Sequence, residues 1–371
     1  MRITQVDTYL YSLPFDRPIT NGLYTYTSTD LTFAQVRTDA GIDGVGFVHG
    51  TQIVYAAVRD MAPRIIGTDP WRYENLWAQL YAPKVYGRKG LATRAISCVD
   101  IALWDILAKR AEVPLYKMLG GHAPKVPFYV AGGYYETGKG LDELAFELSG
   151  YVERLGARAV KMKVGGMPID DDIDRIRTAR EAIGTDVKLL IDANNAYRRH
   201  EAAQLMRRAE RYDLYWFEEP VGPDDLDGSR FLRDMGLISI AAGENEYTRW
   251  GFRDMAMSSA ADIWNTDAQV LGGVTEWRKV AAIAQAFDIP IAPHGDQELH
   301  VHLVASAPNG LIVEYYDDNT NPLRRKLFGE SALVTTGGYV EIGETPGIGV
   351  NVDFEKTATL CVAHDRFRDR L

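Results

Sequence analysis

From about residue 126 onward, short apolar runs alternate with amphipathic stretches, one pair every 25 residues or so, close to one strand plus one helix. The runs are VPFYVAG (126–132), AVKMKV (159–164), VKLLIDA (187–193), LYWFEE (214–219), ISIAAGE (238–244), ADIWNTD (261–267), IPIAPHG (289–295) and LIVEYY (311–316). Helical patterns such as DIDRIRTAREAI (172–183) and EAAQLMRRAER (201–211) lie between them. Eight successive β–α units are what a closed (β/α)8 barrel needs, and few other architectures accept that rhythm.

The segment before this rhythm has another grammar. Residues 2–13, 31–38 and 45–48 alternate as half-buried strands. Residues 17–30, RPITNGLYTYTSTD, are polar and are expected to form a mobile loop. Residues 71–80 and 90–111 carry apolar positions at helical spacing. The expected fold is α/β: a modified (β/α)8 TIM barrel with an α+β capping domain formed by the N-terminal segment and the C-terminal tail. Residues 1–123 form the cap, 124–320 the barrel, and 321–371 the segment that returns to the cap, with ALVTTGGYVEIG (332–343) as its strand-like part.

Composition narrows the function classes. Lys and Arg number 41 against 51 Asp and Glu, a formal charge of −10. A net acidic chain lacks the basic footprint that nucleic acid binding requires. The short basic run Arg324, Arg325 and Lys326 reads as a solvated turn. The only cysteines are Cys98 and Cys361, in no metal-binding spacing, so thiolate zinc is excluded and no disulfide scaffold is expected. No run of eighteen apolar residues and no apolar signal core occurs, so a soluble cytoplasmic protein with no membrane partner is expected. The glycine pairs lack the strand–GxGxxG–helix context of a dinucleotide site.

In such a barrel the chemistry sits at the C-terminal ends of the strands. Lys161 and Lys163, Asp192 and Asn194, Glu218, Glu244, Asp267, His294 and Glu314 all fall there, on seven successive strands. One acid at a strand end is an ordinary helix cap; seven in succession are not, because burying so many charges without purpose is costly. Asp192, Glu218 and Glu244 provide three hard anionic ligands, suited to Mg²⁺ with positions left for substrate oxygens. Lys161 and Lys163 differ by two and point to the same side. Two adjacent ammonium groups should lower each other's pKa towards that of a general base. Asp267 could fix the tautomer of His294 and raise its basicity. A divalent metal between two such bases suits removal of a proton next to a carboxylate. His300 and His302 follow on HGDQELHVH and read as helix residues near the barrel rim, not as a metal site.

In these motifs, KMK (161–163), DANN (192–195), EEP (218–220), GE (243–244), NTD (265–267), APHG (292–295) and VEYY (313–316), the chain resembles the mandelate racemase subgroup of the enolase superfamily. The resemblance runs through nearly the whole sequence. It implies that Asp192, Glu218 and Glu244 ligate Mg²⁺, that Lys163 is one base, and that His294 with Asp267 is the base or acid opposite. It further implies that Lys161 meets the substrate carboxylate, Asn194 a substrate hydroxyl, and Glu314 the carboxylate oxygen as it gains charge. Glu219 should be structural. The substrate would be a small-molecule carboxylate and the protein a homo-oligomer.

The same machinery serves dehydration of a sugar acid to a 2-keto-3-deoxy acid, or racemisation, epimerisation or cycloisomerisation; a barrel that has lost catalysis is the remote third reading. Polar cap loops favour a polyhydroxylated acid, since unpaired buried polar groups are expensive. Tyr24, Tyr26, His49 and Arg88 are the candidate distal contacts.

Overall fold

The computed structural model describes residues 1–318, 320–328 and 333–369. Three antiparallel strands begin the chain: β1 (Ile3–Thr20), β2 (Thr25–Thr38) and β3 (Asp43–His49). One face of this sheet lies on the helix Leu91–Arg110, which is buried along almost its whole length. That explains its run of apolar residues on all sides. The helix faces the sheet on one side and the barrel on the other. On the barrel side, Trp104 Nε1 donates to Thr275 Oγ1 (2.8 Å), and Thr275 donates its N–H and hydroxyl to buried Asp100.

Residues 17–30 are not a loop. β1 and β2 continue as a hairpin through them, with a register irregularity between Pro14 and Ile19 and a tip at 21–24. Tyr and Thr favour extended backbone, and the barrel holds the tip. Thr20 and Tyr135 exchange both backbone hydrogen bonds (2.8 and 2.9 Å). Gly22 sits so close to the barrel that a Cβ would lie 2.4 Å from the Ala193 carbonyl.

The barrel strands follow: β4 (Lys125–Gly132), β5 (Ala159–Lys163), β6 (Lys188–Asp192), β7 (Leu214–Glu218), β8 (Ile240–Ala242), β9 (Ile263–Trp264) and β10 (Val313–Tyr316), all parallel to their barrel neighbours. The seventh run, 289–295, has no regular strand, but Ile291 bridges Trp264 on one side and Gly310 on the other. Pairing of β10 with β4 closes the ring. Its interior is filled by large and small side chains together, Tyr129, Trp216 and Ile263 beside Ala131, Ala159 and Ala241.

The chain end divides. β11 (Val334–Thr336) and β12 (Tyr339–Glu341) form a hairpin that pairs with the start of β4, so this part joins the barrel and not the cap. Ala332, where the strand-like sequence begins, lies outside the described residues. β13 (Cys361–Arg368) returns to the cap and pairs with β1. No helix among the described residues is long and apolar enough to cross a membrane.

Candidate active site

Register aligns the ionisable side chains. Lys163 is paired with Asp192 across β5 and β6, and Asp192 with Glu218 across β6 and β7. Glu244 follows β8 after Gly243, in the next βα loop. One carboxylate oxygen from each of Asp192, Glu218 and Glu244 lies within 4.8 Å of the others, and all three residues are buried. Among the described residues this is the only such cluster. Its donors are all oxygen, and Glu244 Oε2 is buried without a hydrogen-bond donor. Three hard oxygen ligands at this spacing, one of them with an unpaired buried oxygen, fit Mg²⁺.

The lysines occupy one side of the cluster. Lys161 is inside the barrel, with Nζ 2.6 Å from Glu218 Oε1, 2.8 Å from Glu314 Oε1 and 3.6 Å from Asp192 Oδ2. Its ammonium lies over the Tyr129 ring, 5.1 Å from the centroid. Lys163, two residues nearer the mouth, donates to Asp192 Oδ2 (2.5 Å) and faces the Tyr134 ring at 5.1 Å. Both ammonium groups are pushed above the ordinary lysine range: burial works against the charge, but Glu218 and Glu314 outweigh it at Lys161 and Asp192 does so at Lys163. The mutual depression expected from two adjacent lysines is therefore reversed, because nearby carboxylates outnumber the ammonium groups. Burial pushes Glu218 up to about 8, while Lys163 and Lys161 overcome burial at Asp192 and hold it down.

His294 stands on the other side. Its Nδ1 is 2.9 Å from Asp267 Oδ2, and its Nε2 is 3.6 Å from Glu244 Oε2 and 3.9 Å from Glu314 Oε2. Because Asp267 accepts at Nδ1, Nε2 is directed at the cluster. Burial opposes the imidazolium, but Glu244, Glu314 and Asp267 outweigh it and raise His294 to about 10. Glu314 is fixed in turn by Gly295 N–H, which donates to Oε2 at 2.9 Å.

Asn194 has a left-handed backbone (φ 44°) and donates to Glu244 Oε1 at 3.4 Å, leaving its own Oδ1 unpaired. Glu219 turns away, receiving the side-chain amides of Asn195 and Asn245. From the cap, the structure brings in Tyr26 and His49. Asn21 Nδ2 donates to Tyr26 Oη (3.1 Å). Burial of that hydroxyl pushes it up to about 12, and Lys163, Tyr134, Glu244 and Asp192 are the groups whose fields reach it. His49 Nε2 is 3.0 Å from Asp296 Oδ2; Asp296 raises its pKa against the effect of burial. Tyr24 is 58% exposed at the hairpin tip, and Arg88 is exposed on its loop. Tyr134 was not singled out from the sequence. Tyr134 lies two residues beyond the first barrel run, so its place just past a strand end is the signal that could have found it.

A family model described as enolase C-terminal domain-like matches residues 143–357. The model of the mandelate racemase / muconate lactonizing enzyme N-terminal domain matches residues 5–120. The chain belongs to the mandelate racemase/muconate lactonizing enzyme family of the enolase superfamily. Over 297 residues it is 38% identical to arabinonate dehydratase of Saccharolobus solfataricus, covering 79% of each chain. It is 34% identical to 3,6-anhydro-alpha-L-galactonate cycloisomerase of Streptomyces coelicolor, covering 97% of this chain and 99% of that one. The crystal structure of L-talarate/galactarate dehydratase from Salmonella typhimurium LT2, liganded with Mg and L-lyxarohydroxamate, matches with a TM-score of 0.92 at 30% identity. That match covers 100% of this chain and 95% of that one.

Proposed function

We propose that this enzyme removes the proton next to the carboxylate of a sugar acid and eliminates the β-hydroxyl as water, giving a 2-keto-3-deoxy acid. The observation that carries the reading is the placement of two proton-handling groups, Lys163 and His294, on either side of the three-carboxylate cluster. Dehydratases of acid sugars among its relatives support it.

Asp192, Glu218 and Glu244 would hold Mg²⁺, which when bound supplies Lewis-acid stabilisation of a carboxylate gaining charge. Lys161 would meet one side of that carboxylate as a cation, and Glu314, in its protonated form, would donate a hydrogen bond to the other. Lys163 Nζ would take the α-proton once its ion pair with Asp192 is relaxed and its own proton has been released to solvent. His294 Nε2 would protonate the departing hydroxyl, with Asp267 holding the imidazole by Nδ1. Asn194 Oδ1, Tyr26 and His49 would receive the remaining hydroxyls, each of which needs a partner inside a closed site.

The test is a library of aldonic and aldaric acids incubated with the protein and Mg²⁺, read for 2-keto acid. The expected result is dehydration of at least one member. If instead no acid is dehydrated and solvent deuterium enters the α position of one that keeps all its hydroxyls, the enzyme is a racemase or epimerase and the reading is overturned.

A further inference from the structure

His300 lies outside the reacting groups, fully buried on the helix Gln297–Ser306. Its hydrogen bonds specify one protonation state. Nδ1 lies 3.0 Å from the Asp296 carbonyl oxygen, which can only accept, so Nδ1 carries the hydrogen. The Ala268 N–H donates to Nε2 at 3.0 Å, so Nε2 carries the lone pair. Only the neutral Nδ1–H tautomer satisfies both.

The two backbone groups belong to the two segments that carry the Asp267–His294 pair. Ala268 follows Asp267 directly, and Asp296 is two residues after His294. The ring thus ties the chain just beyond the carboxylate to the chain just beyond the imidazole. Nε2 is also 3.3 Å from Asp267 Oδ1, but with its lone pair engaged it offers that oxygen no proton. Asp267 is left to Gln269 N–H at Oδ1 (2.7 Å) and to His294 at Oδ2. Gly295 gives the ring its room: at its positive φ of 103°, a Cβ would stand 3.0 Å from His300 Cε1 and 3.2 Å from Asp267 Oδ2.

We propose that His300 is a positioning residue that, by bridging Ala268 N–H and Asp296 C=O, sets the direction in which Asp267 presents His294 to the substrate. The proposal rests on the dehydratase reading for its kinetic test, but not for its structural one.

The kinetic test compares His300→Leu with His300→Gln. Leu leaves both backbone groups unpaired; the Gln amide can accept from one and donate to the other. Misaimed by a fraction of an ångström, His294 should cost His300→Leu about 10- to 100-fold in dehydration kcat. KM should stay within about twofold, since ground-state binding is untouched. Exchange of the α-proton with deuterium oxide, the task of Lys163, should persist, and His300→Gln should recover most of the lost kcat. Equal loss of exchange and dehydration, an unchanged kcat, or a Gln variant no better than Leu would each overturn the proposal.

Nitrogen NMR of the imidazoles in the wild-type protein with Mg²⁺ provides the second measurement and needs no turnover. A protonated Nδ1 with a bare Nε2 at His300 is expected, and a protonated Nε2 would overturn the clamp. If the wild type dehydrates no acid, the functional reading fails by itself and this spectrum decides the clamp alone.

Discussion

The two sides of the barrel mouth are built on opposite plans. On the lysine side, two fully or almost fully buried ammonium groups share four carboxylate contacts within 3.6 Å. On the histidine side, the His294 imidazole keeps 25% of its side-chain surface, bonds Asp267 through Nδ1 and has Glu244 and Glu314 only at 3.6 and 3.9 Å from Nε2, while Gln269 N–H holds Asp267. Strong charge pairing makes the lysine side responsive: it changes when another cation competes for Asp192 and Glu218. On the histidine side, the hydrogen bond to Asp267, itself held by the Gln269 N–H, sets the direction of the imidazole with no close ion pair at Nε2. The difference fits the proposed roles, in which proton abstraction would fall to the lysine side and proton delivery to the histidine side.

The largest expected effect tests that division. Lys163→Ala should lower turnover by about 10²–10⁴-fold, the range for loss of a general base, and should abolish α-proton exchange as well. Asp267→Asn should spare exchange while lowering dehydration, because it disturbs only the histidine side. Rates of product formation and deuterium incorporation, measured together, check both. If Lys163→Ala and Asp267→Asn give the same ratio of exchange to product, the two sides are not separate.

Gly22→Ala sharpens the comparison by lifting the roof. The added Cβ would meet the Ala193 carbonyl at 2.4 Å and the Ala196 Cβ at 2.7 Å, so the hairpin must shift. Overpacking of this kind costs about 1–3 kcal/mol, here felt mainly as displacement of the hairpin tip from the barrel. A rise in KM of about tenfold with a small change in Tm is expected. A normal KM would mean that the hairpin does not contact substrate.

The smallest effect is on stability without Mg²⁺. The folded pKa of His294, about 10, lies above its ordinary 6.5. The stabilisation it brings is therefore complete below pH 6.5 and lost as pH rises through about 10. Between those limits, Tm of the metal-free protein should fall more steeply in the wild type than in His294→Asn. Equal slopes would show that the carboxylates around His294 do not hold its charge.

Most of the site could be read before the fold was known, because a barrel repeats its register. Once the eight runs are found, Lys163, Asp192, Glu218, Glu244, Asp267, His294 and Glu314 fall one per unit at strand ends. What escaped depends on neighbours distant in sequence. Residues 17–30 look like a loop, since their strand geometry is secured by Tyr135 and Ala193, more than a hundred residues away. The lysines look mutually depressed until Glu218 and Glu314 are seen to surround Lys161. His300 reads as an ordinary helix residue, because the two groups it joins are backbone atoms with no side-chain signature.

The central claim is that abstraction and delivery of the proton reside on different sides of one cluster. It is tested most directly with His294→Asn and Mg²⁺ in deuterium oxide, following the α-hydrogen of an acid that the wild type dehydrates by proton NMR. This hydrogen should exchange with solvent while no 2-keto acid forms. Loss of exchange together with loss of product, or dehydration at the wild-type rate, would contradict it.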